Sequence, residues 1–189
     1  GVRYTKDTRA DGSTIKFFGI VNANGIQNGW ISANGARGRI ADGNKITYSN
    51  GDVYEGGMAG LKKSGTGTYT YKNGDLYVGS FADDRANGSG TMTYANGNVY
   101  TGAFKDGLPD GEGTLTYKSG DTYVGSFAAG RKNGKGTYTS GDAVYTGAYV
   151  NDVREGEGKQ VYANGDVYEG TFKNDMRNGQ GTYTFANGE

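Results

Sequence analysis

The chain has 189 residues with 20 acidic and 20 basic side chains, and it contains no histidine and no cysteine. A formal net charge of zero provides no basic footprint for nucleic acid and weakens any long-range attraction to anionic lipid. The missing histidine and cysteine exclude Ser-His-Asp and Cys-His catalytic arrangements, the usual zinc sites and a disulfide framework.

Glycine and aromatic residues dominate the composition, with 37 Gly, 16 Tyr and 7 Phe but a single Pro. Glycine at this level is typical of collagen or disorder, but no three-residue period is present and the rings can supply burial. A mean hydropathy of -0.72 fits a thin sheet. No apolar run approaches the ~20 residues that span a bilayer and no signal-peptide pattern is present. We expect a cytoplasmic location, with membrane or cytoskeletal association as the alternative.

Residues 1–53 are predicted to form degenerate repeats that cap the rest of the chain. Residues 1–13 are polar and indicate a frayed lead-in or an imperfect repeat end. Four strands are predicted in this region, at 13–21, 27–32, 37–40 and 45–48. Terminal repeats are often atypical because they must cap the stack, and we expect Trp30 to give this cap its hydrophobic cover.

From residue 54 the chain repeats a unit of 23 residues, with one unit of 22. Each unit opens on a tyrosine, has a glycine two residues later and a large residue four residues later, and then carries a Gly-x-Gly pair. The opening tyrosines are Tyr54, Tyr77, Tyr100, Tyr123, Tyr145 and Tyr168. Self-similarity at a short fixed period marks a repeat architecture.

The spacing inside each unit is even, which predicts strands, because strand side chains alternate faces with a period of two. Tyr100, Gly102 and Phe104 would share one face of a first strand. Asn-Gly steps such as Asn96-Gly97 join successive units and favour tight hairpins, since both residues tolerate positive φ. One hairpin per unit makes an antiparallel meander. At roughly 10 Å for each two-stranded unit, that meander is expected to be elongated.

The in-frame glycines, eighteen over the six units, are predicted to lie on the ring-bearing face. A strand glycine there leaves a hole in which a neighbouring ring can lie over bare backbone. The alternative for any single residue is that rings and glycines are ordinary core.

The Tyr123 unit is irregular, because it is one residue short and Ser140-Gly141-Asp142-Ala143 replaces its last turn. A slip of one residue would turn every following side chain to the other face, so we expect the turn to absorb the change. In the next unit Gln160 replaces a ring or an aliphatic side chain. We expect a bend or a local opening at these two places.

The pattern Tyr-x-Gly-x-Phe, turn, Gly-x-Gly-Thr-Tyr-x-Tyr, Asn-Gly-Asp resembles the MORN repeat (membrane occupation and recognition nexus). Tyr168–Asn174 and Gly179–Tyr183 are similar to its consensus, and six tandem copies cover residues 54–189. The resemblance implies an all-β fold, an elongated single-layer twisted antiparallel meander with one β-hairpin per repeat and an aromatic-lined groove. It also implies scaffolding of partner proteins or self-association. Such repeats occur too as modules of phosphatidylinositol phosphate kinases and of a histone lysine methyltransferase, but this chain has no room for either catalytic domain.

Three motifs with possible chemistry are explained by the repeat itself. Gly130–Thr137 is one residue short of a P-loop and has Gly after Lys135. Asp83-Asp84 and Asp106 occupy hairpin turns, where Asp is favoured for its turn geometry. Asn87-Gly88-Ser89, formally a glycosylation sequon, is also a repeat turn. We therefore predict no catalytic, cofactor-binding or metal-binding residue.

The aromatic face remains as the candidate site, because a single layer cannot bury both of its faces and exposed rings are enriched in interfaces. The candidate groove residues are Tyr54, Tyr71, Tyr77, Tyr94, Tyr100, Tyr117, Tyr123, Phe81, Phe104, Phe127, Tyr145, Tyr149, Tyr168 and Phe172.

The sequence thus predicts a non-catalytic scaffold that binds a protein, a peptide or a second copy of itself through this groove and open sheet edges. The alternatives are a targeting or regulatory module of a larger enzyme, and direct lipid or carbohydrate binding. Lipid ranks low because the net charge is zero, and no nucleic-acid partner is expected.

Overall fold

The structure is a computed structural model that describes residues 2–8, 14–22, 25–27, 30–33, 36–41, 45–59 and 62–188, with side chains from residue 45 onwards. All regular secondary structure in these residues is β. The chain divides into two compact units, Gly1–Asn87 and Gly88–Glu189.

The described residues form eighteen strands. In chain order they are β1 (Val2–Thr8), β2 (Thr14–Asn22), β3 (Gly25–Gln27), β4 (Trp30–Ala33), β5 (Ala36–Ala41), β6 (Lys45–Tyr48), β7 (Val53–Ala59), β8 (Lys62–Thr70), β9 (Leu76–Ala82), β10 (Arg85–Thr93), β11 (Val99–Lys105), β12 (Leu108–Thr116), β13 (Thr122–Ala128), β14 (Arg131–Ser140), β15 (Ala143–Val150), β16 (Val153–Val161), β17 (Val167–Lys173) and β18 (Met176–Thr184).

The first unit contains a three-stranded antiparallel sheet, β1-β2-β3, and a run of consecutive antiparallel pairs from β4 to β9. The strands predicted at 13–21, 37–40 and 45–48 correspond to β2, β5 and β6, whereas the single strand predicted at 27–32 is replaced by the two short strands β3 and β4. The polar lead-in is different, because β1 pairs along its whole length with β2. Its own composition did not reveal this, since the pairing partner lies in the following segment. The predicted cover by Trp30 concerns a side chain outside the described ones.

In the second unit each strand from β10 to β18 pairs antiparallel with the next. Each repeat that lies within one unit contributes one hairpin, so the all-β hairpin-repeat fold is confirmed. In the irregular repeat Tyr138 still opposes Tyr145, as Leu115 opposes Tyr123 in the repeat before it. The missing residue is therefore absorbed in the turn, as predicted.

The turns inside repeats and the turns between repeats differ in which residues have positive φ. Inside repeats, both turn residues have positive φ, for example Asn151 at 49° and Asp152 at 75°, which matches a type I′ turn. Between repeats, only the glycine of Asn-Gly does, as in Gly97 at 92°. The tight turns predicted at Asn-Gly are present, and only their glycine takes positive φ because three residues separate the hydrogen-bonded Tyr94 and Asn98. A loop of that length takes a type I turn followed by one left-handed residue.

The hairpin inside each repeat contains a register shift at the Gly-x-Gly pair. Gly102 opposes Gly113, but Phe104 opposes Pro109, so β12 carries two extra residues between these pairs. The first glycine of the pair, Gly111, has a φ of +104°. All six first glycines have positive φ (Gly65, Gly88, Gly111, Gly134, Gly156 and Gly179). The prediction that these six glycines leave a hole for a ring is wrong. They are glycines because the bulge needs a residue with positive φ.

The other in-frame glycines do accommodate rings. A Cβ on Gly113 would lie 2.5 Å from Cε2 of Tyr100, and a Cβ on Gly102 would lie 2.5 Å from the Cα of Gly113. The Tyr100 ring thus lies over two bare backbone segments, and its Oη donates a 2.9 Å hydrogen bond to the Ala103 carbonyl. The same bond to the carbonyl three residues on recurs at Tyr54, Tyr77, Tyr123, Tyr145 and Tyr168.

Candidate binding surface on the ring-bearing face

Eleven of the fourteen predicted groove residues are buried, each with at most 6% of its surface exposed. We call these the inner rings: Tyr54, Tyr77, Phe81, Tyr100, Phe104, Tyr123, Phe127, Tyr145, Tyr149, Tyr168 and Phe172. They pack edge to face, with Tyr100 4.9 Å from Phe127 and 5.1 Å from Phe104 between ring centroids. The inner rings are therefore the core of the sheet. The partial exposure that we expected for rings of the groove is not found at these eleven residues.

The remaining three, Tyr71, Tyr94 and Tyr117, are half-buried. They belong to a second row that sequence reasoning recognised only in part. We call this row the outer rings: Tyr69, Tyr71, Tyr94, Tyr117, Tyr138, Tyr162 and Tyr183, all half-buried. Neighbours in the row touch, as Tyr69 and Tyr71 do at 4.5 Å between ring centroids in the first unit and Tyr117 and Tyr138 at 5.8 Å in the second. The repeat period points to Tyr162, whereas Tyr69, Tyr138 and Tyr183 lie two residues earlier in their repeats, where the other repeats have no tyrosine.

Aspartates of the turns between repeats hold several outer rings in place. Asp121 accepts a 2.9 Å hydrogen bond from Tyr138 Oη, and Asp166 accepts one of 2.7 Å from Tyr183 Oη. At Asp52, burial opposes ionisation, but hydrogen bonds from the Lys72 backbone, Tyr69 and Asn50 hold its pKa below the usual value. Hydrogen bonds to aspartate thus orient the rings of Tyr69, Tyr138 and Tyr183.

Four cations occupy equivalent positions, two residues before a Gly-x-Gly pair, and lie over the rings: Lys63, Lys132, Arg154 and Arg177. Lys63 Nζ is 4.5 Å from the Tyr69 centroid, within cation–π range. Burial lowers the pKa of Lys63 and of Lys132. Sequence reasoning missed this series, although its fixed offset from the glycine pair is visible in the sequence.

A pocket of about 420 Å³ opens in the second unit at the irregular repeat. Three of its lining residues are smaller or more polar than their counterparts: Ser140 stands where Tyr117 stands one repeat earlier, Ala143 where Asp121 stands, and Gln160 where Tyr138 stands. These replacements remove two rings and a carboxylate from one place. The predicted local opening at this place is confirmed.

Among the described residues, no group of three His, Cys, Asp or Glu side chains is placed to hold a metal ion. The described part of the chain also has no apolar helix of membrane-spanning length. The second face of the strands presents exposed Val78 and Val124 and the ion pair of Lys159 with Glu169.

The sequence matches no curated protein. Among solved structures, the chain is similar to the SAS-4 (dCPAP) TCP domain of Drosophila melanogaster, solved in complex with a proline-rich motif of Ana2 (dSTIL). The TM-score is 0.49 at 19% identity, covering 90% of this chain and 84% of that one. It is also similar to the TCP10 domain of Danio rerio CPAP. A point mutant of that domain gives 0.48 at 14% identity and the wild type 0.44 at 12%, each covering 98% of this chain and 91% of that one.

The family comparison agrees with the repeat frame. The MORN repeat matches residues 54–76, 77–99, 100–122, 123–142, 145–167 and 168–189. These segments begin on the opening tyrosines whose rings lie over the strand glycines. The chain belongs to the MORN repeat family.

Proposed function

We propose that this chain is a non-catalytic scaffold that binds a protein or peptide partner through its outer rings. The observation that carries the proposal is a row of half-buried tyrosines supported by a packed layer of inner rings. Tyrosine offers a large contact area at low entropic cost, and tyrosine and arginine are enriched at interface hot spots. Because Asp121 and Asp166 already orient Tyr138 and Tyr183, little ordering would be needed on binding.

Self-association is the second form of the same proposal. Among the described strands β18 pairs only with β17, and most of its residues are exposed. An unpaired strand edge can add a strand from another chain by backbone hydrogen bonding. A second copy of the chain could supply that strand.

The test compares two variants as bait. Tyr94→Ala with Tyr117→Ala removes outer rings, and Val124→Ala removes an exposed side chain from the other face. Partners captured by the unchanged chain are identified, purified and titrated against each variant, and sedimentation velocity is run at several protein concentrations. We expect the ring variant to bind roughly tenfold or more weakly, since truncating hot-spot rings costs about 2 kcal/mol or more. The Val124→Ala control should bind like the unchanged chain.

The proposal would be contradicted if the chain stays a monomer at all concentrations and its partners also bind the ring variant and the control with the same affinity. Co-sedimentation with vesicles that depends on Tyr94 and Tyr117 would instead support the lipid alternative.

A further inference from the structure

Two hydrogen-bond donors of the pocket at the irregular repeat have no acceptor among the described residues. The first is the ammonium group of Lys132. Its Nζ lies 5.2 Å from the ring centroid of Tyr149, 5.6 Å from that of Tyr123 and 5.7 Å from that of Tyr138. It makes no hydrogen bond or ion pair with any described residue. This half-buried ammonium has lost part of its water shell, and it gains ring faces together with the charges of Asp152 and Asp175, which act on it without a hydrogen bond or ion pair.

The second donor is the hydroxyl of Tyr149. The equivalent position is Phe in four other repeats: Phe81, Phe104, Phe127 and Phe172. Tyr149 is only 4% exposed and lines the pocket, yet its Oη has no hydrogen-bond partner among the described residues. Packing alone would be served by phenylalanine, so the hydroxyl is an added polar group on a residue that lines this pocket.

The other charged groups in the pocket wall are already paired. Asp175 Oδ1 accepts hydrogen bonds from Arg154 N at 3.0 Å and Nε at 3.2 Å, and Arg154 also donates to Gln160 Oε1 at 3.1 Å. Asp152 Oδ1 accepts the backbone N–H of Lys132 at 2.9 Å. The guanidinium of Arg154 is thus hydrogen-bonded to a carboxylate, whereas the ammonium of Lys132 interacts with Asp152 and Asp175 only beyond hydrogen-bond distance.

We infer that this pocket receives an acidic side chain of a partner peptide, with Lys132 Nζ and Tyr149 Oη donating to its carboxylate and Tyr117 and Tyr138 enclosing its aliphatic part. The inference rests on the proposed function and names the chemistry that the scaffold selects. A volume of about 420 Å³ lies within the range of pockets that enclose a ligand group. A phosphate is a poorer fit, because phosphate sites gather several arginine donors and Arg154 is committed to Asp175 and Gln160.

The chain supplies its own replacement residues for the test, which keeps each variant compatible with the fold. Lys132→Ala introduces the residue at the equivalent position 86, Tyr149→Phe the residue at 127, and Ser140→Tyr the residue at 117. Ser140→Tyr should fill the pocket. Lys63→Ala is the matched control, because it removes the equivalent cation from a different repeat.

The probes are the capped peptide Gly-Ser-Glu-Ser-Gly and its counterpart with Gln in place of Glu, titrated and followed by NMR on the β14, β15 and β16 amides. We expect saturable shifts with the Glu peptide and roughly tenfold weaker binding of the Gln peptide, as for loss of a charge-assisted hydrogen bond. Lys132→Ala should weaken the Glu peptide to a similar degree, Tyr149→Phe by about threefold to tenfold, and Ser140→Tyr should abolish binding. Lys63→Ala should leave it unchanged.

Equal responses to the two peptides, no saturable shift, or undiminished binding by Ser140→Tyr would each overturn the inference. Should Ser140→Tyr misfold, Tyr149→Phe decides, because phenylalanine is the usual residue at that position. The outcome is separable from that of the proposed function. If a partner no longer binds the Tyr94→Ala, Tyr117→Ala variant but still binds Ser140→Tyr, the proposed function is supported and the pocket inference is contradicted. If the Glu peptide binds the pocket but no partner depends on Tyr94 and Tyr117, the pocket inference is supported and the proposed function is contradicted.

Discussion

At the scale of single residues, the fold depends on one tyrosine and two glycines in each repeat. Tyr100 lies along its own strand over Gly102, reaches the facing Gly113 and donates to the Ala103 carbonyl. Glycine in a strand is normally unfavourable. Here it is required, because any Cβ at either position would occupy the volume of the ring or of the facing backbone.

Gly113→Ala is therefore expected to destabilise the protein by about 3 kcal/mol, since the new methyl group would overpack against the buried Tyr100 ring. The control is Gly120→Ala, where a Cβ meets nothing within 4 Å and only the φ of +96° opposes the substitution. That strain should cost about 1 kcal/mol. Chemical denaturation of both variants makes the comparison, and equal costs would contradict the ring-over-glycine account.

Tyr100→Phe tests the hydroxyl separately from the ring. It removes the 2.9 Å hydrogen bond to Ala103 and leaves the edge-to-face packing with Phe104 and Phe127 in place. We expect a loss of about 1 kcal/mol in the free energy of unfolding. Tyr117→Phe is the matched control, because its hydroxyl makes no hydrogen bond with the described residues, and its unfolding free energy should stay close to that of the unchanged chain.

At the scale of the hairpin, two kinds of turn alternate along the chain. The turn inside a repeat needs two residues at positive φ and uses pairs such as Asn151-Asp152 and Asn174-Asp175. The second turn residue also links repeats, because Asp152 N–H donates to the Lys132 carbonyl at 2.9 Å while its Oδ1 accepts the Lys132 N–H. Each hairpin turn therefore continues the hydrogen-bonding of the preceding hairpin.

Ala129 is the exception among these turns, because it holds a φ of 48° with neither glycine nor a polar side chain. Ala129→Asn should stabilise the protein by about 0.5 to 1 kcal/mol, since Asn tolerates the left-handed region better than other L residues. The reverse change, Asn151→Ala, should destabilise it by a similar amount. Thermal unfolding of the pair measures both, and shifts of the same sign would show that turn conformation is not the cause.

At the scale of the whole molecule, the core consists largely of phenols. Burial raises the pKa of Tyr77, Tyr100 and Tyr123 to about 12, from an ordinary value of 10.0. Below pH 10 these groups are protonated in both the folded and the unfolded chain. Between pH 10 and about 12 only the unfolded chain ionises these phenols. Because that ionisation favours the unfolded chain, the folded protein loses stability as the pH rises.

Each such phenol should lower the free energy of unfolding by about 1.4 kcal/mol per pH unit in that window. Because several titrate in parallel, we expect cooperative unfolding above pH 10, with phenolate absorbance and loss of the β circular dichroism signal rising together. Separate transitions, with phenolate appearing while the β signal persists, would mean that the inner rings are accessible to solvent in the folded protein.

The sequence alone predicted the repeat, its hairpins and the place of the pocket. Period-two alternation inside a 23-residue period is local information, and so is the shortened turn at Ser140–Ala143. The positions of positive φ were less accessible, because Asn-Gly suits two turn types and the number of residues between paired strand ends decides between them. The strand β1 was missed because its pairing partner, β2, is not part of its own pattern.

The sequence by itself determined that tyrosine and glycine share one face of successive hairpins. Only the tertiary structure decided which rings that face buries and which it leaves half-buried. Phe127 packs against Tyr123 of its own repeat and against Tyr100 of the preceding one. The exposure of a ring therefore depends on side chains such as Tyr100, 27 residues before Phe127, that only the folded chain brings close. Equally, that Lys132 Nζ and Tyr149 Oη find no hydrogen-bond acceptor among the described residues follows from what surrounds them in the folded chain.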